Sequence, residues 1–141
     1  MTRTLLVSGD KPAKISSLLE ILENKGWAAA PNPTSSLLDG VLWFGDSNSE
    51  IAENFNLSKG STVILIVSMQ NADKDTQSFS HEVLLSTTKL QAHKMALKLA
   101  PDHRFNAIIY SGDPETILDG VTYLLDAKAV TGQMMYLDGD L

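Results

Sequence analysis

The run Ser61-Thr62-Val63-Ile64-Leu65-Ile66-Val67-Ser68 constrains the fold more than any other segment. Its β-branched residues are stiff at χ1 and favour an extended backbone. Successive side chains of a strand point to opposite faces, so Val63 to Val67 make this strand apolar on both. A strand of that kind must be covered twice, which is the situation at the centre of a parallel sheet with helices on each side. The run is also far too short to cross a bilayer, which takes about 20 apolar residues in a helix.

The rest of the chain supplies the covering elements in alternation. Leu5-Leu6-Val7 reads as a buried strand stopped by Ser8-Gly9-Asp10. Ile15, Leu18, Leu19 and Leu22 recur at helical spacing, and Gly26 follows where a left-handed cap would end the helix. Trp27 to Ala30 is a second strand broken by Pro31 and Pro33, and Gly40 to Phe44 a third. Glu50 to Leu57 is expected to make two helical turns, broken at Lys59-Gly60. Phe79 to Leu99 is the longest helical stretch, with Val83, Leu84, Leu90, Met95, Leu97 and Leu99 near one broad face. Pro101 lies just past its end. Phe105 to Tyr110 is a fifth strand. Pro114 to Leu125 is a helix capped by Asp113, and Met134 to Leu137 is a sixth strand. Strands alternating with helices imply a parallel α/β sheet, read as one domain over residues 1–141.

Composition narrows the function. With 141 residues the chain can bury a real core, and 43% apolar against 20% charged residues is ordinary for a globular protein. A net charge of −6 argues against a nucleic-acid partner. The absence of cysteine excludes disulfides and thiolate chemistry. Nothing resembles a signal peptide or a membrane segment, so a cytoplasmic location is expected. His81, His93 and His103 show no ligand spacing, and no metal site is expected. The acidic pairs Asp73-Asp75 and Asp138-Asp140 read as solvated loop and tail.

Residues 104–112 (Arg104-Phe105-Asn106-Ala107-Ile108-Ile109-Tyr110-Ser111-Gly112), the following helix, and Thr131-Gly132-Gln133 with a strand ending in Asp138-Gly139 form a distinctive order. It resembles the end of a short-chain dehydrogenase/reductase, which closes with VNAI-PG, a helix, TGQ and a strand running into DGG. The resemblance implies a Rossmann-like three-layer α/β sandwich. Only about ten residues separate the second and third strands, too few for another strand with two crossovers. The expectation is therefore a six-stranded parallel sheet, one edge strand fewer than the family, in the order 2-1-3-4-5-6.

The resemblance also shows what is missing. Val7 to Ser16 lies where the family carries TGxxxGIG, whose glycines let the backbone approach a pyrophosphate at a helix N-terminus. Gly9 remains, while Ala13 and Ser16 replace the other two glycines. Pro31-Asn32-Pro33 offers neither an acid for a ribose nor a base for its phosphate. Lys11 and Lys14 are candidates to meet a ribose phosphate, so a retained cofactor would be NADP. At the family's NNAG stands Trp43-Phe44-Gly45-Asp46. The family's helix bearing a catalytic Asn has no room between Asp46 and Ser61, although Asn54 is a conceivable imitation. Ser68 sits at the catalytic serine position and Lys89 at the lysine of YxxxK. The tyrosine position is Leu85, which can neither donate nor accept a proton. Ser86, Thr87 and His81 are nearby hydroxyl or imidazole groups out of that register. Gly112 and Thr116 match cofactor-side positions of the family.

The expected function is thus a degenerate family member without dehydrogenase activity, with vestigial Ser68 and Lys89, working through protein contacts. The cofactor-side residues under this resemblance are Gly9, Lys11, Lys14, Gly45, Lys89, Gly112 and Thr116, with no cofactor as the leading expectation. A homodimer through the last strand and the preceding helix is expected, or a partner protein on the helix 79–99. Two alternatives stay open. One is an NADP-dependent carbonyl reductase using Ser68 with an unconventional acid. The other is a small-molecule sensor in the crevice near Gly9, Gly45 and Ser68.

Overall fold

A computed structural model of the protein describes residues 2–9, 12, 15–30, 36–45, 55–71 and 77–139. The elements are β1 (Arg3–Gly9), α1 (Ser16–Asn24), β2 (Trp27–Ala29), β3 (Leu38–Gly45), β4 (Leu57–Ser68), a 3-10 turn (Met69–Asn71), α2 (Gln77–Leu99), β5 (Arg104–Ser111), a second 3-10 turn (Pro114–Ile117), α3 (Leu118–Asp126) and β6 (Met134–Asp138). The strands form one six-stranded sheet in the order β2-β1-β3-β4-β5-β6, and every neighbouring pair is parallel. This is the Rossmann-like α/β arrangement and the strand order that the sequence leads one to expect.

β4 holds the layers together. Ile64 and Ile66 join a core with Leu18 and Leu22 of α1 and Val121, Leu124 and Leu125 of α3. Val63, Leu65 and Val67 join a second core with Leu84, Ala92 and Ala96 of α2. All five β4 side chains are fully buried. Removing them from water contributes on the order of 10 kcal/mol before the entropy of ordering the chain is set against it.

Local signals end the elements where the sequence suggests. Gly26, at φ 95°, takes the left-handed position after α1, and its N–H donates to the Glu23 carbonyl. The Asp113 carboxylate accepts from the Glu115 N–H at 3.0 Å, with Pro114 next in line. The single helix expected over Pro114–Leu125 is split, however. Its first turn is the 3-10 segment, and α-helical bonding starts only at Leu118.

Two expectations need correction. The helical turns expected over Glu50–Leu57 lie mostly outside the described residues, but Leu57 belongs to β4 and Phe55 and Asn56 are irregular. Lys59-Gly60 is not a break before the strand. Leu38 pairs with Leu57 and Gly40 with Thr62, so residues 58–61 bulge out of the ladder. Regular pairing resumes where the apolar run begins.

The second correction concerns α2. Its buried line is Leu84, Thr88, Ala92 and Ala96, one residue per turn. Val83, Leu90 and Leu97 are instead 43%, 66% and 69% exposed. They recur every seven residues along the outer side. Small residues face the sheet because the helix lies close on β5. The larger apolar residues set the sequence pattern and mislead the assignment of faces. No helix among the described residues is long and apolar enough to cross a membrane.

Two buried hydroxyls, those of Thr62 and Thr88, have no hydrogen-bond partner among the described residues. A desolvated, unpaired hydroxyl is destabilising, and valine has nearly the same shape. Thr62→Val and Thr88→Val are each expected to stabilise by about 1 kcal/mol. In thermal unfolding this corresponds to a rise of about 3 °C. A fall in the midpoint for either variant would mean that its hydroxyl is in fact satisfied.

Candidate functional site

The strand order reverses between β1 and β3: α1 leads from β1 to β2 on one side, and β3 lies on the other. Ligands of open parallel α/β sheets bind in the crevice beyond the carboxyl ends of the strands at such a point. Gly9, Gly45, Ser68 and Ser111 end β1, β3, β4 and β5. They are the residues that the fold brings to this edge.

Gly9 pairs with Phe44 and has φ 88°. A side chain there would overlap the Phe44 carbonyl oxygen. The close approach that requires glycine is therefore made to the protein's own β3. Lys11 and Lys14 lie outside the described residues, as do Ala13, Pro31-Asn32-Pro33, Asn54 and Asp73-Asp75. At the start of α1, Ile15 provides no side-chain cap. The Ser17 hydroxyl donates to Glu115 Oε1 at 2.8 Å, setting a carboxylate at the electropositive end of the helix. A phosphate arriving at that turn would meet a like charge. This contact leaves no local signal in the chain, because the partners are 98 residues apart.

The two aromatics at the NNAG position pack into opposite cores. Phe44 joins the α1/α3 side, and Trp43 lies against the α2 side. Trp43 meets Phe55 edge to face, with ring centroids 5.6 Å apart. Neither supplies the polar groups that asparagines would.

Ser68 Oγ accepts the Gln70 N–H at 3.2 Å, a local turn contact. Lys89 is exposed, and Leu85 packs against the α2-side core. Among the described residues no hydrogen bond links Ser68 to Lys89. Of the nearby alternatives, the Thr87 hydroxyl donates to the Val83 carbonyl at 2.8 Å. At the far side of the crevice, Gly112 has φ 82°. The Thr116 hydroxyl donates to the Asp113 carbonyl at 2.7 Å, and Ser111 donates to Asp138 at 2.9 Å. The Ser111–Asp138 bond ties the end of β5 to the end of β6.

The motif-like residues before β6 have a structural task. Asn106 is fully buried; its amide nitrogen donates to the Val130 carbonyl and its oxygen accepts the Gln133 N–H, both at 3.0 Å. Thr131 Oγ1 accepts the Phe105 N–H at 3.0 Å, and the Gly132 N–H donates to the Phe105 carbonyl at 2.7 Å. Together they fasten the incoming strand to β5. No group of three or more metal-ligating side chains occurs among the described residues.

Among the described residues, Leu85 carries no hydroxyl, the Thr116 hydroxyl proton is given to the Asp113 carbonyl, and Glu115 stands at the N-terminal end of α1. Because Gly9 serves β1–β3 packing, Gly9→Ala is expected to destabilise the cofactor-free protein by at least about 2 kcal/mol, from a positive φ plus a steric clash. Urea unfolding measures this, and an unchanged midpoint would remove the packing explanation.

Comparison with known proteins agrees with the architecture. No curated protein matches the chain in sequence. Among solved structures, a small-chain dehydrogenase is similar with a TM-score of 0.70 at 15% identity, over 99% of this chain and 97% of that one. A short chain dehydrogenase family protein from Francisella tularensis subsp. tularensis SCHU S4 gives 0.69 at 15% identity, over 99% and 98%. A small-chain dehydrogenase in complex with NADPH gives 0.70 at 12% identity, over 99% and 98%. The family model described as short chain dehydrogenase-like protein matches residues 46–137. That span holds β4, α2, β5, α3 and most of β6, and it shows that the chain belongs to the short-chain dehydrogenase-like family.

Proposed function

We propose that this chain is a short-chain dehydrogenase-like domain without dehydrogenase activity, acting through protein contacts, with a cytoplasmic location as part of the same reading. The observation that carries it is Leu85. At the position of the family's acid/base tyrosine stands an aliphatic side chain packed against the α2-side core. A hydrocarbon cannot exchange a proton with a substrate oxygen. The committed hydroxyl of Thr116 and the carboxylate of Glu115 at the α1 turn support the same reading.

The competing reading is an NADP-dependent reductase or a sensor. What favours it is that one structural neighbour is in complex with NADPH. Calorimetric titration with NADPH and NADH separates the two. The proposal expects no binding heat at millimolar cofactor and no turnover of carbonyl substrates. Micromolar binding overturns the cofactor-free part of it, and turnover lost in Ser68→Ala would overturn the rest.

For the contacts themselves we infer a homodimer across β6 and α3. β6 is an edge strand, and Tyr123 of α3 and Tyr136 of β6 are each 48% exposed. Large, rigid aromatic rings of this kind are favoured at interface centres. The outer line Val83, Leu90 and Leu97 on α2 is the second surface, for a partner protein. Sedimentation at high micromolar concentration is expected to give a dimer for the protein and a monomer for Tyr123→Asp/Tyr136→Asp. A monomer for the unaltered chain would sink the homodimer and leave the α2 surface.

A further inference from the structure

At the opposite end of the sheet, where the strands begin, lies a cavity of about 430 Å³ between β1, β2, β3, β4, β5 and the end of α3. It is separated from the crevice by the length of β4: the seven residues from Thr62 to Ser68 span about 20 Å at the usual rise of a strand. Its walls carry Arg3, Lys59, Arg104 and Lys128, a concentration of cations in a chain whose net charge is −6. Three carboxylates line it as well, but two are already engaged. Asp39 accepts from the Thr4 N–H at 2.8 Å and from the Ser58 hydroxyl at 2.7 Å, one bond to each oxygen. Asp126 pairs with Arg3 at 3.2 Å, and the Arg3 guanidinium lies 4.1 Å over the Trp27 ring. Lys59, Arg104 and Lys128 make no ion pair among the described residues, and with Arg3 they set four cations against three carboxylates on the cavity wall.

Arg104 is the fixed point. One terminal nitrogen donates to the Ala127 carbonyl and the other to the Gly60 carbonyl at 3.4 Å. The guanidinium is thereby held between the end of α3 and the bulge of β4. It has no carboxylate within ion-pair distance among the described residues, and three of its five N–H donors remain unused. Burial lowers its pKa from the ordinary value, and the nearby charge of Asp126 only partly offsets that. An anion beside it would relieve the cost of holding an unpaired cation partly out of water. Lys59 and Lys128 have no hydrogen-bond or ion-pair partner among the described residues, and their chains are long enough to close on the same anion.

We propose that this basal cavity is a binding site for a phosphate group, free or carried on a small ester, with Arg104 as its planar donor and Lys59 and Lys128 as its mobile charges. The volume exceeds that of the anion alone and is in the range of small-molecule sites. Trp27 is not a stacking platform for the remainder, because it is buried and Arg3 covers it. The site stands independently of the cofactor question, since no residue of the crevice takes part in it.

The test is calorimetric titration of the full chain with inorganic phosphate and with a phosphate monoester, glycerol 3-phosphate, against chloride at matched ionic strength. Saturable binding is expected, weakened by about tenfold or more in Lys59→Gln/Lys128→Gln, where two charge-assisted contacts are lost. These are exposed side chains, so the fold is retained; Arg104→Lys keeps the charge and removes the planar fork, and is expected to weaken binding as well. Tighter binding of the monoester would identify an ester as the ligand, and equal binding would identify the free anion. No heat beyond the chloride control overturns the proposal. So does phosphate binding that is unchanged in the double-lysine variant, which would put the anion elsewhere, including at the Gly9 turn.

Discussion

Burial of β4 on both faces is the constraint on which the other elements depend. A strand with Val63, Leu65 and Val67 on one side and Ile64 and Ile66 on the other is stable only between two helical layers. Parallel neighbours require crossovers, and those that follow β1, β4 and β5 each deliver a helix to one face. α1 and α3 cover one side and α2 the other, with α2 pressed close through Ala92 and Ala96. The crevice, the basal cavity and the two candidate contact surfaces are all consequences of where those helices begin and end.

Relative to its family, the chain is economical at the crevice and generous at the C-terminal turns. Residues at the crevice make contacts within the protein itself. Gly9 accommodates Phe44, Thr116 bonds to the Asp113 carbonyl, and the aromatics at Trp43 and Phe44 fill the cores. The residues that match the family best, Asn106 and Thr131 to Gln133, make hydrogen bonds that hold the sheet. The same letters that mark the family here thus also encode architecture.

Much of the fold was legible because its signals are local or periodic. The two-sided run at 63–67, Gly26 after α1 and the Asp113-Pro114 cap each act within a few residues, and all three appear as expected. The strand order was legible only through the resemblance, since nothing local tells β2 and β3 on which side of β1 to lie. The face of α2 was not legible: Ala92 and Ala96 are inconspicuous in a hydropathy pattern, yet they decide how near the helix can come. The bulge at 58–61 was hidden because a glycine inside a strand reads as its boundary. At the site, Leu85 was readable from one position, whereas the Ser17–Glu115 contact and the ring of cations around Arg104 join residues distant in sequence.

The Asn106 amide bears on how the last strand finds its place. β6 has no buried residue, so alternation of apolar and polar side chains defines its register only weakly. The amide accepts from one backbone N–H and donates to one backbone carbonyl of the incoming segment, at fixed positions on either side of Thr131. A slip of one residue would strand a buried polar group from both partners at once. β6 is thus indexed by a polar pin at its entry, in the way a key is aligned by its shoulder before any of its teeth engage.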